Sequence, residues 1–243
     1  MTTLQDSLVD LERNAMYDFR RRALMRTILP SIIGEDVIDV GCGMGFMSEA
    51  LAKRGHKTTA VDVEQIYVSY THQRMLTYKS SVGSILYKDT QLPFHDACFD
   101  SLISLDVIEH VEDHNRLVRE FARVLRPYGR VILSVPALPM LYGKRDINHG
   151  HFRRYNKHSL VTTLQQANLQ IEQIAYWNCL GVLPYLISER LLQREIPDSI
   201  RKGRQSFARA VTARLLEKWL SIEGEINSLP CGLSLLVVAR KPV

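Results

Sequence analysis

The chain predicts an α/β fold in which a doubly wound, mostly parallel sheet carries helices on both faces. Three observations lead there. Short, nearly continuous apolar runs, such as Val37-Ile38-Asp39-Val40 and Ser101-Leu102-Ile103-Ser104-Leu105, read as strands buried on both sides. These runs alternate with helix-length segments, the pattern of parallel strands joined by crossovers. The first run enters a turn with glycines at alternate positions, Gly41-Cys42-Gly43-Met44-Gly45, and a helical pattern follows at once.

In chain order, residues 4–29 read as a helix that Pro30 ends. A strand over 36–40 leads through the glycines into a helix over 44–54, stopped by Gly55. The next strand, 57–62, ends on Asp62; a helix to about residue 78 and a strand over 82–88 follow. Strand 99–105 precedes a helix from Asp113, on which Leu117, Val118, Phe121, Val124 and Leu125 share one face. Strands over 130–135, 169–177 and 233–240 complete the sheet. Roughly fifty residues separate the last two, against about five in an ordinary loop. There Phe207, Val211, Leu215, Trp219 and Ile222 recur at helical intervals, and Leu186, Ile187, Leu191 and Leu192 form a second stripe. The chain therefore divides into an N-terminal helical segment (1–30), a core (31–179 and 231–243) and a helical cap (180–230). Two or three cap helices are expected over the active-site mouth, packing on the domain or serving as a dimer face or an interfacial lid for a lipid-like substrate.

At 243 residues, 46% hydrophobic and 23% charged, the composition is that of one large globular domain. Cys42, Cys98, Cys179 and Cys231 are scattered without a Cys-x-x-Cys pair, so neither a zinc site nor a disulfide framework is expected and a reducing cytoplasm is the default. The first residues lack the basic-then-apolar pattern of a signal peptide, and no apolar run reaches the ~20 residues of a membrane span. The net charge of +5 is dispersed: Arg20-Arg21-Arg22 and Arg201-Lys202-Gly203-Arg204 read as solvated faces. Basic residues do not interleave with aromatics as in common RNA-binding modules, which disfavours nucleic acid as partner.

The glycine turn and Asp62 together describe a nucleoside site. Glycine lets the backbone approach a ligand, and a carboxylate closing the second strand can accept both ribose hydroxyls. A dinucleotide fingerprint wants its third glycine where Phe46 stands, which argues against NAD. Asp39-x-Gly41-x-Gly43-x-Gly45 instead resembles motif I of the class I methyltransferases that use S-adenosylmethionine. Further matches follow in order: Tyr87-Lys88-Asp89-Thr90-Gln91-Leu92-Pro93-Phe94, the stretch from Phe99 through Asp106-Val107-Ile108-Glu109-His110-Val111, and Leu125-Arg126-Pro127-Tyr128-Gly129-Arg130-Val131-Ile132-Leu133-Ser134-Val135-Pro136. Tyr128 stands where the family usually has a second glycine. The resemblance implies a Rossmann-like, seven-stranded sheet with an antiparallel last strand. It also implies S-adenosylmethionine as donor, with S-adenosylhomocysteine as product. On this reading Gly41, Cys42 and Gly43 contact the methionine moiety through backbone, and Asp39 and the Leu105 carbonyl lie near its ammonium. Asp62 takes the ribose, Val63 packs on adenine, Asp89 and Thr90 reach the adenine edge, and Tyr17 and Arg21 close over the donor.

Methyl transfer from a sulfonium asks the protein mainly for alignment, and a hydroxyl or carboxyl acceptor adds the need for a base. The stretch Asp146-Ile147-Asn148-His149-Gly150-His151-Phe152-Arg153-Arg154-Tyr155 supplies two histidines as candidate bases, His151 ahead of His149. Arg153, Arg154 and Tyr155 are its candidate acceptor ligands. The stretch resembles a loop of a bacterial branch acting on small molecules, sugars and lipid-like acceptors. His158 and His114 read as solvated or capping. Asp106-x-x-Glu109-His110 is similar to the Glu-x-x-Glu-His of ubiquinone-pathway O-methyltransferases, whose cluster can hold a divalent ion; magnesium's preference for oxygen ligands leaves no metal assigned here. The expectation is an O-methyltransferase for a small-molecule or glycolipid-like, lipid-linked acceptor, with a loop histidine as general base and room for peripheral membrane contact. An N- or C-methyltransferase, or a binding module without turnover, stands as the alternative; oligomeric state is open.

Overall fold

The computed structural model describes residues 15–88, 90–188, 207–224, 226 and 229–243. Seven strands form one sheet: β1 (Asp36–Val40), β2 (Lys57–Asp62), β3 (Ser81–Leu86), β4 (Phe99–Leu105), β5 (Leu125–Pro136), β6 (Gln170–Trp177) and β7 (Ser234–Arg240), in spatial order β3-β2-β1-β4-β5-β7-β6. β1 to β5 run parallel, and β7 is antiparallel to both β5 and β6. The parallel strands are buried on both faces because helices cover both. On one side Ile38, Val40, Leu102 and Leu133 pack under α4 (His114–Val124) and α6 (Lys157–Gln166), which contribute Leu117, Phe121, Leu160 and Leu164. On the other, Val37, Ile103 and Ile132 meet Met47 and Leu51 of α2 (Phe46–Lys53) and Ile28 of α1 (Ala15–Ile28). α3 (Gln65–Met75) closes the β2–β3 end, and α5 (Lys144–Asn148) stands in the long connection after β5.

β3 spans 81–86 rather than 82–88 and α3 ends at Met75 rather than near residue 78; two further differences have local reasons. β5 begins at Leu125 rather than Arg130, because Phe99 pairs with Leu125 while Ser101 pairs with Arg130, leaving 126–129 as a bulge. Within it Tyr128 sits at φ +64°, in the left-handed region. A Cβ on neighbouring Gly129 would stand 2.9 Å from the Arg126 carbonyl oxygen. That geometry is why a second glycine is at home here. α2 starts at Phe46 because Gly45, at φ +75°, turns the chain into the helix.

Of the cap, α7 (Val182–Leu186) and α8 (Phe207–Glu223) are described; Leu191 and Leu192 of the second stripe and residues 4–14 of the expected N-terminal helix lie outside the described residues. α8 lies along α1. Its buried Glu217 accepts Arg22 (2.7 Å) and Arg26 (2.9 Å), and Leu220 packs with Phe19 and Trp177. The Arg20–Arg22 run is therefore not a plain solvated face: Arg22 is tied to α8, and Arg21 stacks on Phe46.

Candidate active site

Strand order reverses between β1 and β4, with β2 and β3 added on one side and β5 on the other. At such a switch point the carboxyl ends of the strands open a crevice, the place where open α/β sheets take ligands. β1 delivers the glycine turn to it. The Gly41 and Cys42 amides donate to the Val61 carbonyl at 2.8 and 3.1 Å, fixing the turn to β2. Gly41, Gly43 and Gly45 all have positive φ. A Cβ on Gly41 would stand 2.3 Å from Val107 Cγ2, and one on Gly45 2.6 Å from Thr71 Oγ1. A Cβ on Gly43 would meet nothing within 4 Å. The outer glycines are thus demanded by packing, while Gly43 faces open space from which a ligand can reach backbone.

Asp62 is 6% exposed; its Oδ2 accepts Gly43 N–H at 2.9 Å and its Oδ1 accepts Glu64 N–H at 3.0 Å. Asp39 is buried beneath the turn and accepts the Ser48 hydroxyl at 2.5 Å. Burial pushes its pKa up to about 6, against the Ser48 hydrogen bond and with the aid of Asp62. The Cys42 thiol turns inward, 3.4 Å from Thr71 Oγ1, leaving only its backbone toward the crevice. Val63 is 52% exposed beside Asp62, and Leu105 ends β4 partly buried. Arg21 stands over the Phe46 ring at 3.3 Å, with Arg74 over the same ring at 4.0 Å. Thr90 is partly buried after β3; Asp89 and the Tyr17 side chain lie outside the described residues.

The loop after β5 is pinned across the strand ends. Phe152 N–H donates to the Glu109 carbonyl after β4 (2.8 Å), Tyr155 N–H donates to the Pro136 carbonyl (2.8 Å), and Ala137 and Tyr155 form a β-bridge. At its centre lies Asp146, 1% exposed. Asp146 Oδ1 is 3.0 Å from His151 Nδ1 and accepts Arg154 Nε at 2.8 Å, while Oδ2 accepts Gly143 N–H at 3.0 Å. Burial alone would raise the Asp146 pKa, but the hydrogen bonds from His151 and Arg154 outweigh it and hold the carboxyl below its ordinary value. An ionised Asp146 therefore faces His151 Nδ1, which selects the Nδ1–H tautomer and leaves the Nε2 lone pair free to take a proton.

The predicted residues separate here. His151 is embedded in the site, edge-to-face with His110 (ring centroids 4.5 Å apart). His149 is exposed, with Nδ1 2.7 Å from the Arg145 carbonyl. Arg154 and Tyr155, expected to hold the acceptor, are spent inside the fold. Arg154 clamps Asp146, the Ala137 carbonyl and the Tyr185 hydroxyl of α7. Tyr155 is core, its hydroxyl 2.9 Å from His114 Nδ1. His114 is accordingly neither solvated nor the cap of α4, a place Asp113 takes. Arg153 donates to the Glu112 carbonyl at 2.8 Å. Asp146 is the residue that sequence reasoning left without a role; its signal was an acid five residues before His151 and eight before Arg154.

Beneath the pair, Glu109 is fully buried, and burial followed by the nearby Asp106 pushes its pKa well above the usual carboxylate range. Glu109, His110 and His151 each bring one donor atom within 4.8 Å of the others. Asp106 is not among them: its carboxylate accepts the Ser134 hydroxyl. One raised carboxyl and two imidazoles do not fit an oxygen-seeking magnesium ion.

Residues 38–133 match the family model described as a methyltransferase domain. That stretch runs from β1 into β5 and holds the glycine turn, Asp62 and the end of β4. It is 29% identical over 167 residues to a probable S-adenosylmethionine-dependent methyltransferase of Mycobacterium tuberculosis, covering 68% of this chain and 60% of that protein. The chain thus spans about 60% of the length of the curated relatives it matches first. Over 107 residues it is 36% identical to the ubiquinone biosynthesis O-methyltransferase of Coxiella burnetii, covering 42% of this chain and 43% of that one. Geranyl diphosphate C-methyltransferase of Streptomyces coelicolor, solved with Mg2+, geranyl diphosphate and S-adenosyl-L-homocysteine, superposes with a TM-score of 0.62 at 18% identity, covering 91% of this chain and 79% of that one. At that identity the likeness is one of fold. The family match ends at residue 133, short of the loop that holds Asp146 and His151.

Proposed function

We propose that the protein transfers a methyl group from S-adenosylmethionine to an oxygen of a small-molecule or lipid-linked acceptor, with His151 as general base. The observation that carries this reading is the Asp146–His151 pair pinned at the carboxyl ends of β4 and β5, beside the glycine turn's crevice. The donor's methionine end takes backbone at Gly41–Gly43, its ammonium sits toward Asp39, and Asp62 accepts the ribose hydroxyls. The sulfonium carries the driving force, so the protein's task is to align the attacking oxygen with methyl and sulfur. As the new O–CH3 bond forms and the S–CH3 bond breaks, the acceptor's proton passes to His151 Nε2, and Asp146 stabilises the resulting imidazolium. Arg153, on the loop's outer side, is the remaining cation for an acidic acceptor group.

Support for a lipid-linked acceptor comes from α8. Its acids, Glu217 and Glu223, turn inward, whereas Val211, Leu215, Trp219 and Ile222 are exposed beside Arg214 and Lys218. An apolar stripe flanked by cations suits peripheral contact with a membrane surface. Among the described residues no helix is long and apolar enough to cross one.

The test is methyl transfer from labelled S-adenosylmethionine into fractionated extract of the source cell. Label in the aqueous or lipid pool is expected; label confined to protein or nucleic acid would overturn the acceptor class.

A further inference from the structure

The four cysteines show no pairing in the sequence, yet the fold brings two together at the root of the 180–230 segment. β6 and β7 pair antiparallel up to Trp177 opposite Ser234, and the ladder continues through Leu233 N–H to the Asn178 carbonyl at 3.2 Å. Gly232 lets the two chains close further: a Cβ there would stand 2.4 Å from the Trp177 carbonyl oxygen. Asn178, at φ +63°, then turns the chain out of the sheet. Cys179 and Cys231 follow on either side, their sulfurs 3.9 Å apart and both partly buried. The Cys179 amide is held by Glu223 Oε2 at 2.9 Å, so the end of α8 braces the same point. The other two thiols are differently placed: Cys42 is buried against Thr71, and the Cys98 thiol donates to the His95 carbonyl.

We propose that Cys179 and Cys231 are a redox-modification site, forming a reversible disulfide that staples the root of the cap. A side-chain rotation that closes the sulfurs by about 2 Å reaches bonding distance. With a low-molecular-weight disulfide such as glutathione disulfide as oxidant, one thiolate attacks it, giving a mixed disulfide and one glutathione thiol. The second thiolate then displaces the other glutathione, so two protein thiols are oxidised and one glutathione disulfide is reduced to two thiols. The ring so closed contains α7 and α8, and with them Tyr185, the hydroxyl that Arg154 holds from the acceptor loop. The proposal rests on the sheet geometry and not on the assigned reaction.

The experiment uses the full chain equilibrated with glutathione disulfide, alkylated, and digested with trypsin without reduction. The expected product is one disulfide-linked pair of peptides, 158–190 and 219–240, that separates on reduction. Cys98, carrying glutathione or alkyl, serves as the internal control. Cys179→Ser should abolish the linked pair and leave Cys231 as a stable glutathione adduct, and Cys231→Ser should do the converse. The oxidised wild type should also melt higher than the reduced form, a gain that reductant reverses and the double Cys→Ser variant lacks. Recovery of Cys179 and Cys231 as separate adducts or free thiols while Cys98 is modified would overturn the proposal, as would their appearance only in links between chains.

Discussion

Replacing Asp146 by Asn tests the base directly, because the two residues have the same shape and differ in what they can accept. Asp146 meets three neighbours, His151 Nδ1, Arg154 Nε and Gly143 N–H, and offers each an oxygen. Asn has one oxygen and one amide nitrogen. With its oxygen toward Gly143, its NH2 faces His151 and forces the ring into the Nε2–H tautomer, which has no lone pair for the acceptor. With its oxygen toward His151, its NH2 opposes the Gly143 N–H. Either way the buried Arg154 guanidinium, 6% exposed, loses its counter-charge. Breaking such a pair costs about 3 kcal/mol, or a fall in Tm of about 10 °C in a domain of this size. Removing a general base lowers kcat by about 10²- to 10⁴-fold. Two assays separate these effects. Initial rates of label transfer from S-adenosylmethionine should fall by at least ~10² with donor affinity retained. The nitrogen-15 chemical shifts of the His151 ring should report a change of tautomer or a mixture. A folded Asp146→Asn variant that turns over within about threefold of wild type would refute the reasoning.

Other outcomes follow from the crevice and the sheet. Gly43→Ala should keep the fold at a cost of about 1 kcal/mol of left-handed strain, since its Cβ meets nothing, but lose donor affinity by calorimetry; Gly41→Ala, which adds a clash with Val107 to the same strain, should lose clearly more stability by urea unfolding. Asp39 should link stability to pH. Its carboxyl is raised from 3.8 to about 6, so the proton it gains on folding adds stability at low pH. That contribution, about 3 kcal/mol, is lost as pH rises through about 6. Urea midpoints of wild type minus Asp39→Asn between pH 4 and 7.5 should show that slope, and donor affinity should weaken below pH 6 as Asp39 protonates. Tyr128→Gly should raise Tm slightly, relieving about 1 kcal/mol of left-handed strain at an exposed bulge.

Much of the sheet was legible because strands buried on both faces leave an unbroken apolar record. β1, β2 and β4 coincide with the expected 36–40, 57–62 and 99–105. β5 was short by its bulge, since Tyr128 carries none of the glycine signal its backbone conformation normally leaves. The glycine turn and Asp62 were legible for a related reason: close backbone approach restricts residue type at each position. The acceptor loop was legible only as a collection of polar residues. Which of them face the crevice and which brace the loop depends on partners from other segments: Arg154 on Tyr185, Tyr155 on His114, and His151 on Asp146 beside Glu109. No local pattern encodes those choices. Cys179 and Cys231 were hidden in the same way, brought together by an antiparallel pairing across the whole cap.

The central claim is that His151, and not His149, takes the acceptor's proton. Rates of label transfer by His151→Ala and His149→Ala, measured against wild type with donor binding checked in each, test it most directly. The account predicts a loss of ~10² or more for His151→Ala and near-wild-type turnover for the exposed His149→Ala. Equal turnover by His151→Ala and wild type would contradict it, and would point to an acceptor that needs no base.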